Sequence, residues 1–282
     1  VPIPRTIVER SVALALAEDL VGTDLTTEAC VEPETLGCAE LRARQALVFC
    51  GVELVREVYR QLDPELELLV DRGDGAELAA GERALLLRGR ARSILEGERV
   101  ALNFAQRMSG VATLTRAFVA AVPAGRRTRI TDTRKTTPGL RALERYAVRC
   151  GGGHNHRDNL GSAVLIKDNH IAACGGVQQA IERARAHAPH TSRISCEVGN
   201  ERELDAALAA RADVIMLDNF DDAALCQAVH KIKGRAIVEV SGGVSLERVP
   251  LIANAGVDVI SVGALTHSAS AVDLGLDWLE SP

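Results

Sequence analysis

The chain has no CxxC pair, no excess of positive charge, and no uncharged apolar run near the roughly 18 residues that a membrane span needs. Each absence removes a class of protein. The 7 cysteines are odd in number and lack paired spacing, so they read as reduced thiols in a cytoplasmic protein rather than as a disulfide framework. The N-terminal VPIPRTIVER lacks the basic start and apolar stretch of a signal peptide, so the expectation is a soluble, untargeted protein without a membrane partner. A net charge of -5 argues against a nucleic-acid partner. Any anion site must then come from local clustering that reverses the global sign.

What is present is length and apolarity. With 282 residues, 47% of them hydrophobic, the chain can bury a sizeable core in two domains or one large barrel. The first part mixes patterns: a helix over Ile7 to Glu18, the turn-rich EDLVGTDLTT, short β-like pieces CAELRARQ and ALVFCG, and a helix over Val52 to Gln61. Further strands follow around LELLVDRGDGAEL and RALLLRGRA. Ser93 and Glu96 have capping-box spacing, which predicts the start of a long helix interrupted near Ser109 and Gly110. The domain boundary is placed inside that helix, giving an N-terminal α/β sandwich domain over 1–106 and a second domain over 107–282 whose final segment packs back on the first.

From Arg129 onward the pattern is apolar strand, polar or glycine-rich tip, then amphipathic helix. The strands read RITDT, AVLIK, RISCEV, DVIMLD, AIVEVSGG and VDVISVG, with Asn200, Asp221 and Ser245 as helix N-caps. Near-continuous apolar strands alternating with helices imply parallel β structure. The fold class expected is therefore α/β: an N-terminal α+β open-faced sandwich followed by an incomplete parallel (β/α) barrel of six to seven strands. An open doubly wound sheet is the structural rival.

In a parallel barrel the working face is built from strand C-termini and the loops after them. The tips here read Arg134-Lys135, Lys167-Asp168, Glu197, Asp218-Asn219, Ser241-Gly242-Gly243 and Gly263. The last two glycine-rich tips offer backbone N–H groups and suit a phosphate. Either one alone reads as a tight turn. Glu197 and Asp218 on neighbouring tips are hard oxygen donors for one Mg²⁺ or for two sugar hydroxyls, with helix capping as the plainer reading. Arg134, Lys135, Arg157 and Lys167 are cations that would repel one another unless an anion sits between them. In HNHRDNLGSAVLIKDNH, His154 and His156 alone are too few for structural zinc, and an acidic chain is a poor setting for a nuclease box. A cage for an anion fits, with His156 as a hydrogen-bond donor and His154 and His170 structural.

The motifs TDTRKTTPGLRALERYAVRCGGGHNHR, LIKDNHI, DVIMLDNF, VEVSGGV and GVDVISVGALTHS, in that order, together with EDLVGTDLTT and LEGERVALNFAQRMSGVAT, resemble the quinolinate phosphoribosyltransferases over nearly the whole chain. The resemblance implies transfer of a phosphoribosyl group from 5-phosphoribosyl-1-pyrophosphate to quinolinate, giving nicotinate mononucleotide, pyrophosphate and CO₂ with Mg²⁺ in NAD biosynthesis. It also implies a homodimer or hexamer whose active sites are shared between subunits. At the matching positions, Arg134, His156, Arg157 and Lys167 would hold the quinolinate carboxylates, and Arg99 would reach them from the partner subunit. Lys135 would face the pyrophosphate, Glu197 and Asp218 the ribose hydroxyls and metal, and Ser241, Gly242, Gly243 and Gly263 the 5'-phosphate. Ser195, Gly199 and Ser162 stand where acidic residues are common in such relatives. The rival functions are a molybdenum-transport-associated paralogue and a noncatalytic phosphate-binding barrel.

Overall fold

The computed structural model describes residues 2–279, and among them no helix is long and apolar enough to cross a membrane. The first elements in chain order are α1 (Arg5–Asp19), α2 (Leu25–Cys30), β1 (Leu36–Ala43), β2 (Leu47–Val48), α3 (Val52–Leu62), β3 (Glu67–Val70), β4 (Glu77–Leu78), β5 (Arg83–Arg90) and α4 (Ala91–Ala120). Then follow β6 (Arg129–Thr131), α5 (Arg141–Cys150), β7 (Val164–Ile166), α6 (Asp168–Cys174), α7 (Val177–His187), β8 (Ile194–Val198), α8 (Glu201–Ala209) and β9 (Val214–Asp218). The chain closes with α9 (Asp222–Ile232), β10 (Ile237–Ser241), α10 (Val249–Asn254), β11 (Val259–Ser261), α11 (Ala264–His267) and β12 (Leu274–Leu279).

Two compact units result. One holds the chain up to Arg116, Thr136–Gly152 and the segment from Leu265 onward; the other holds Ala117–Lys135 and Gly153–Ala264. In the first unit an antiparallel sheet runs β12-β1-β5-β3, so the last strand returns to pair with the first. α1 buries Val8, Val12 and Leu16 at four-residue spacing, and α3 buries Val52, Val55, Val58 and Tyr59. Such spacing puts the apolar residues on one face, and each fully buried aliphatic contributes about 1.5–3 kcal/mol.

Three local expectations are corrected here. EDLVGTDLTT is not all turn: Asp24 accepts the N–H groups of Thr26 and Thr27 at 3.1 and 3.0 Å and so caps the short α2. Ser93 does not open α4, which starts two residues earlier; its hydroxyl instead donates to Asp63 Oδ2 at 2.9 Å. α4 is also unbroken at Ser109 and Gly110. Gly110 serves close packing, since a Cβ there would stand 2.1 Å from the carbonyl oxygen of Ser270.

The second unit is a six-stranded parallel sheet in the order β6-β11-β10-β9-β8-β7, open rather than closed. One face of its strands is aliphatic: Ile130, Cys196, Val198, Ile215, Leu217, Val238, Val240 and Ile260 are all buried. The alternate positions are polar towards the strand ends: Thr131, Ser195, Glu197, Asp218, Glu239, Ser241 and Ser261. Period-two alternation therefore gives the sheet one face for its core and one face for chemistry. Asn200 and Asp221 cap α8 and α9 by accepting the N–H groups of Glu203 (3.0 Å) and Ala224 (2.8 Å). Ser245 makes no such cap, and only a short 3-10 turn, Leu246–Arg248, precedes α10.

Candidate active site

All the charged tips except Arg99 belong to the parallel-sheet unit. The His-Asn-His segment is fixed to the edge of that sheet. His154 bridges Thr131 in parallel, donating its N–H to Ile130 O at 2.8 Å, while Asp132 donates its N–H to His154 O at 3.1 Å. Asp132, fully buried just past β6, accepts the N–H of His156 at 2.7 Å and the side-chain amide of Asn155 at 2.6 Å. A buried carboxylate with such donors is satisfied and rigid. It holds His156 and Arg157 beside the tip that carries Arg134.

Both ring nitrogens of His156 have protein partners. Nδ1 accepts the N–H of Arg157 at 2.8 Å, and Nε2 lies 3.2 Å from Glu239 Oε1. The Nδ1 contact fixes the proton on Nε2, where it points at the carboxylate. Glu239 is itself buried and accepts the hydroxyl of Ser261, which lies 2.9 Å from the hydroxyl of Thr131. A polar relay thus crosses β10, β11 and β6 beneath the histidine.

The cations fall into two kinds. Lys167, at the end of β7, donates to Glu197 Oε2 at 2.5 Å, and its backbone N–H donates to Nδ1 of His170, the residue that closes the first turn of α6. Arg157 donates to the carbonyl of Ala163 at 2.9 Å and has no carboxylate partner among the described residues. Burial first, and then the charge of Arg134, push its guanidinium pKa down from the ordinary value. Arg134 Nε is buried without a hydrogen-bond partner. An unpaired buried donor costs about 1–3 kcal/mol, more when charged. Lys135 is exposed beside it and receives its turn from the Thr133 hydroxyl, which accepts the Lys135 N–H at 3.1 Å.

The other side of the mouth is acidic, then glycine-rich. Asp218 accepts the amide of Asn219 at 2.8 Å, and its register partner in β10 is Ser241. Gly242 follows with φ +83°, and a Cβ on it would lie 2.6 Å from Asp218 Oδ1, so the backbone can approach the carboxylate only because the side chain is missing. Gly243 continues the turn at φ +56° and Gly263 ends the neighbouring tip after β11. Ser195, two residues before Glu197 on the same face of β8, is buried with an unpaired hydroxyl. Arg99 lies on an exposed position of α4 in the other unit.

Asp132 escapes sequence reasoning, and Glu239 reads from the sequence either as a third inward-facing acid or as a paired strand residue and so stays outside the candidate set. The available signal for Glu239 was a carboxylate inside an otherwise apolar strand, two places before Ser241. For Asp132 there was little, since an aspartate after a strand is common in any loop.

Comparison with known proteins completes the picture. Residues 24–109 match the family model for the quinolinate phosphoribosyl transferase N-terminal domain, and residues 111–277 match the model for the C-terminal domain. A nicotinate-nucleotide pyrophosphorylase [carboxylating] of Mycobacterium leprae is 44% identical over 269 residues, covering 93% of this chain and 94% of its own. A probable nicotinate-nucleotide pyrophosphorylase [carboxylating] of Bacillus subtilis is 42% identical over 260 residues, covering 92% of this chain and 89% of its own. Among solved structures, the nicotinate-nucleotide pyrophosphorylase from Francisella tularensis superposes with a TM-score of 0.93 at 39% identity, over 99% of this chain and 98% of that one.

Proposed function

The chain belongs to the quinolinate phosphoribosyltransferase family, and from that membership we propose how its own residues carry out the reaction. The reaction is phosphoribosyl transfer from 5-phosphoribosyl-1-pyrophosphate to quinolinate with decarboxylation, in NAD biosynthesis. One observation supports the assignment of roles above the others: Arg134 and Arg157 stand together, partly buried, and among the described residues no carboxylate pairs with either. Two guanidiniums so placed repel each other, and a planar dianion would satisfy both.

Quinolinate supplies that dianion, its two carboxylates held by Arg134, Arg157, Lys167 and the His156 segment, with Arg99 reaching in from a partner subunit of a homodimer or hexamer. Fixed cations offset the repulsion between this dianion and the polyanionic donor and orient the pyridine nitrogen towards the anomeric carbon. The C–N bond forms as the bond to pyrophosphate breaks, with Lys135 beside the departing oxygens. The ring nitrogen is then positive. Its charge stabilises the electron pair left on the adjacent ring carbon when the carboxylate departs as CO₂, and a proton is taken up by that pair. No strong general base is required, which accords with a mouth of cations and structurally engaged carboxylates.

Glu197 and Asp218 face the ribose hydroxyls, and Ser241, Gly242, Gly243 and Gly263 face the 5'-phosphate. The donor set of Glu197 and Asp218 is all oxygen, and among the described residues they belong to no group of three or more clustered ligands. That oxygen donor set would suit Mg²⁺, which Glu197 and Asp218 would hold and which would neutralise charge on the leaving group. We place the enzyme in the cytoplasm, in keeping with its unpaired cysteines. The test is the release of CO₂ and nicotinate mononucleotide from labelled quinolinate, with nicotinate as the competitor substrate. Turnover of quinolinate alone is expected; equal product from both would remove the dicarboxylate cage from the account.

A further inference from the structure

We propose that Cys50, Asp74 and Cys150, in the antiparallel-sheet unit, form a binding site for a soft divalent cation of the zinc class, separate from the phosphoribosyl-transfer chemistry. Two thiol sulfurs and a carboxylate oxygen lie within 4.8 Å of one another, and this is the sole cluster of three such ligands among the described residues. Two donors on one tetrahedral zinc stand about 3.5–3.8 Å apart, as follows from a Zn–S bond of about 2.3 Å. The 4.8 Å ceiling on their separations lies about 1 Å outside that geometry. Two sulfurs and one oxygen leave a fourth position for water, and sulfur donors select zinc over magnesium.

Each ligand is held by something other than the cation. Cys50 is buried, and its backbone is clamped by Ser109, whose hydroxyl accepts the Cys50 N–H at 2.9 Å and donates to the Cys50 carbonyl at 3.1 Å. Asp74 Oδ1 accepts the N–H groups of Gly51 and Val52 at 2.7 and 3.0 Å, and Oδ2 accepts the Tyr146 hydroxyl at 2.7 Å. These outer donors fix the carboxylate as the partners of metal ligands do. Cys150 is the last residue of α5, where the helix's partial negative charge favours a cation. The turn after Asp74 packs directly on it: a Cβ on Gly75 would lie 3.2 Å from the Cys150 carbonyl oxygen. Cys150 is only half-buried, which gives an ion a way in. Arg149, over the Tyr146 ring at 5.5 Å, is the nearby cation that offsets part of the ligands' negative charge. The site would tie together α3, the loop at Asp74 and α5.

The test uses the full chain, reduced with a phosphine, stripped with a chelator and titrated anaerobically with Co²⁺. One equivalent should produce thiolate-to-cobalt charge-transfer absorption and the intense visible bands of a four-coordinate ion, both displaced by Zn²⁺. Cys150→Ser should abolish the charge-transfer band while keeping the metal-free melting temperature. Tyr146→Phe should keep the band but weaken binding by about 10- to 100-fold. As a measurement that needs no variant, Zn²⁺ should protect the half-buried Cys150 thiol of the wild-type chain from alkylation. Weak six-coordinate bands only, a charge-transfer band that survives in Cys150→Ser, or a Cys150 thiol that alkylates equally fast with and without Zn²⁺ would each overturn the site. Binding at Glu197 and Asp218 cannot imitate the result, because it offers no sulfur.

Discussion

Replacing Arg134 by methionine should make the ligand-free protein more stable and the enzyme nearly inert. Arg134 Nε is buried with no partner, and the neighbouring Arg157 guanidinium is disfavoured by burial and by the charge of Arg134. The orphaned donor alone costs about 1–3 kcal/mol. Methionine keeps an unbranched apolar stem in the same place, so most of the packing survives. A net gain of about 1–2 kcal/mol is expected, or a rise of about 2–8 °C in melting temperature. The same change removes one partner of a buried charge pair in the complex, which costs about 2–5 kcal/mol and weakens quinolinate by roughly 30- to 5,000-fold. Thermal melts with and without quinolinate read both effects: the wild type should gain about 2.7 kcal/mol at one hundred times its Kd, and the variant almost nothing. If the ligand-free variant loses more than about 1 kcal/mol, or binds quinolinate within a few-fold of wild type, the reasoning from an unpaired guanidinium fails.

Other expectations follow from the same geometry. Gly242→Ala forces an L side chain into φ +83° with its Cβ 2.6 Å from Asp218 Oδ1, so it should cost about 1–2 kcal/mol of stability. It should also raise KM for 5-phosphoribosyl-1-pyrophosphate, and an unchanged KM would move Asp218 and its neighbours out of the donor site. Glu239→Gln keeps the shape of the relay but removes the charge opposite His156 Nε2, so kcat/KM for quinolinate should fall by about tenfold at an unchanged melting temperature. A loss of folding with no specific kinetic effect in the residual native fraction would make Glu239 a purely structural residue. Arg99→Ala and Lys167→Ala chains, each inactive alone, should recover activity when mixed and reassembled, because one mouth in the hybrid has both cations intact. No recovery in any ratio would keep Arg99 away from its neighbour's site.

The division between what was legible and what was not follows the range of the interactions. The six parallel strands could be read because short, largely apolar segments repeat with helical segments between them. The tips could be read because a charge or glycine at the end of such a run has no role in the core. Ser93 misled because capping-box spacing is local, whereas Asp63, the residue that takes its hydroxyl, is 30 residues away. Gly110 misled for a similar reason: a helix glycine looks like an interruption until Ser270 is found packed against it. Glu239 depends on His156 and Ser261, contributed by two other segments, and the Cys50–Asp74–Cys150 cluster draws on three. Spacing along the chain marks Glu239 as an acid within an apolar strand but names none of these partners.

The charge count within the mouth gives a physical reason for selecting a dicarboxylate. Lys167 is matched by Glu197 at 2.5 Å, while Glu239 lies 3.2 Å from the Nε2–H of a neutral His156. Arg134 and Arg157 are matched by no carboxylate among the described residues. The chain as a whole carries a net charge of -5, so the pair is a local reversal of the global sign. Two unmatched guanidiniums set against two carboxylates leave nothing unpaired, whereas a monoacid leaves one guanidinium desolvated without a partner, at a cost of about 1–3 kcal/mol. On the roles proposed above, a ligand that cancels both charges is favoured over one that cancels a single charge, and a substitution that removes either guanidinium should lower that preference.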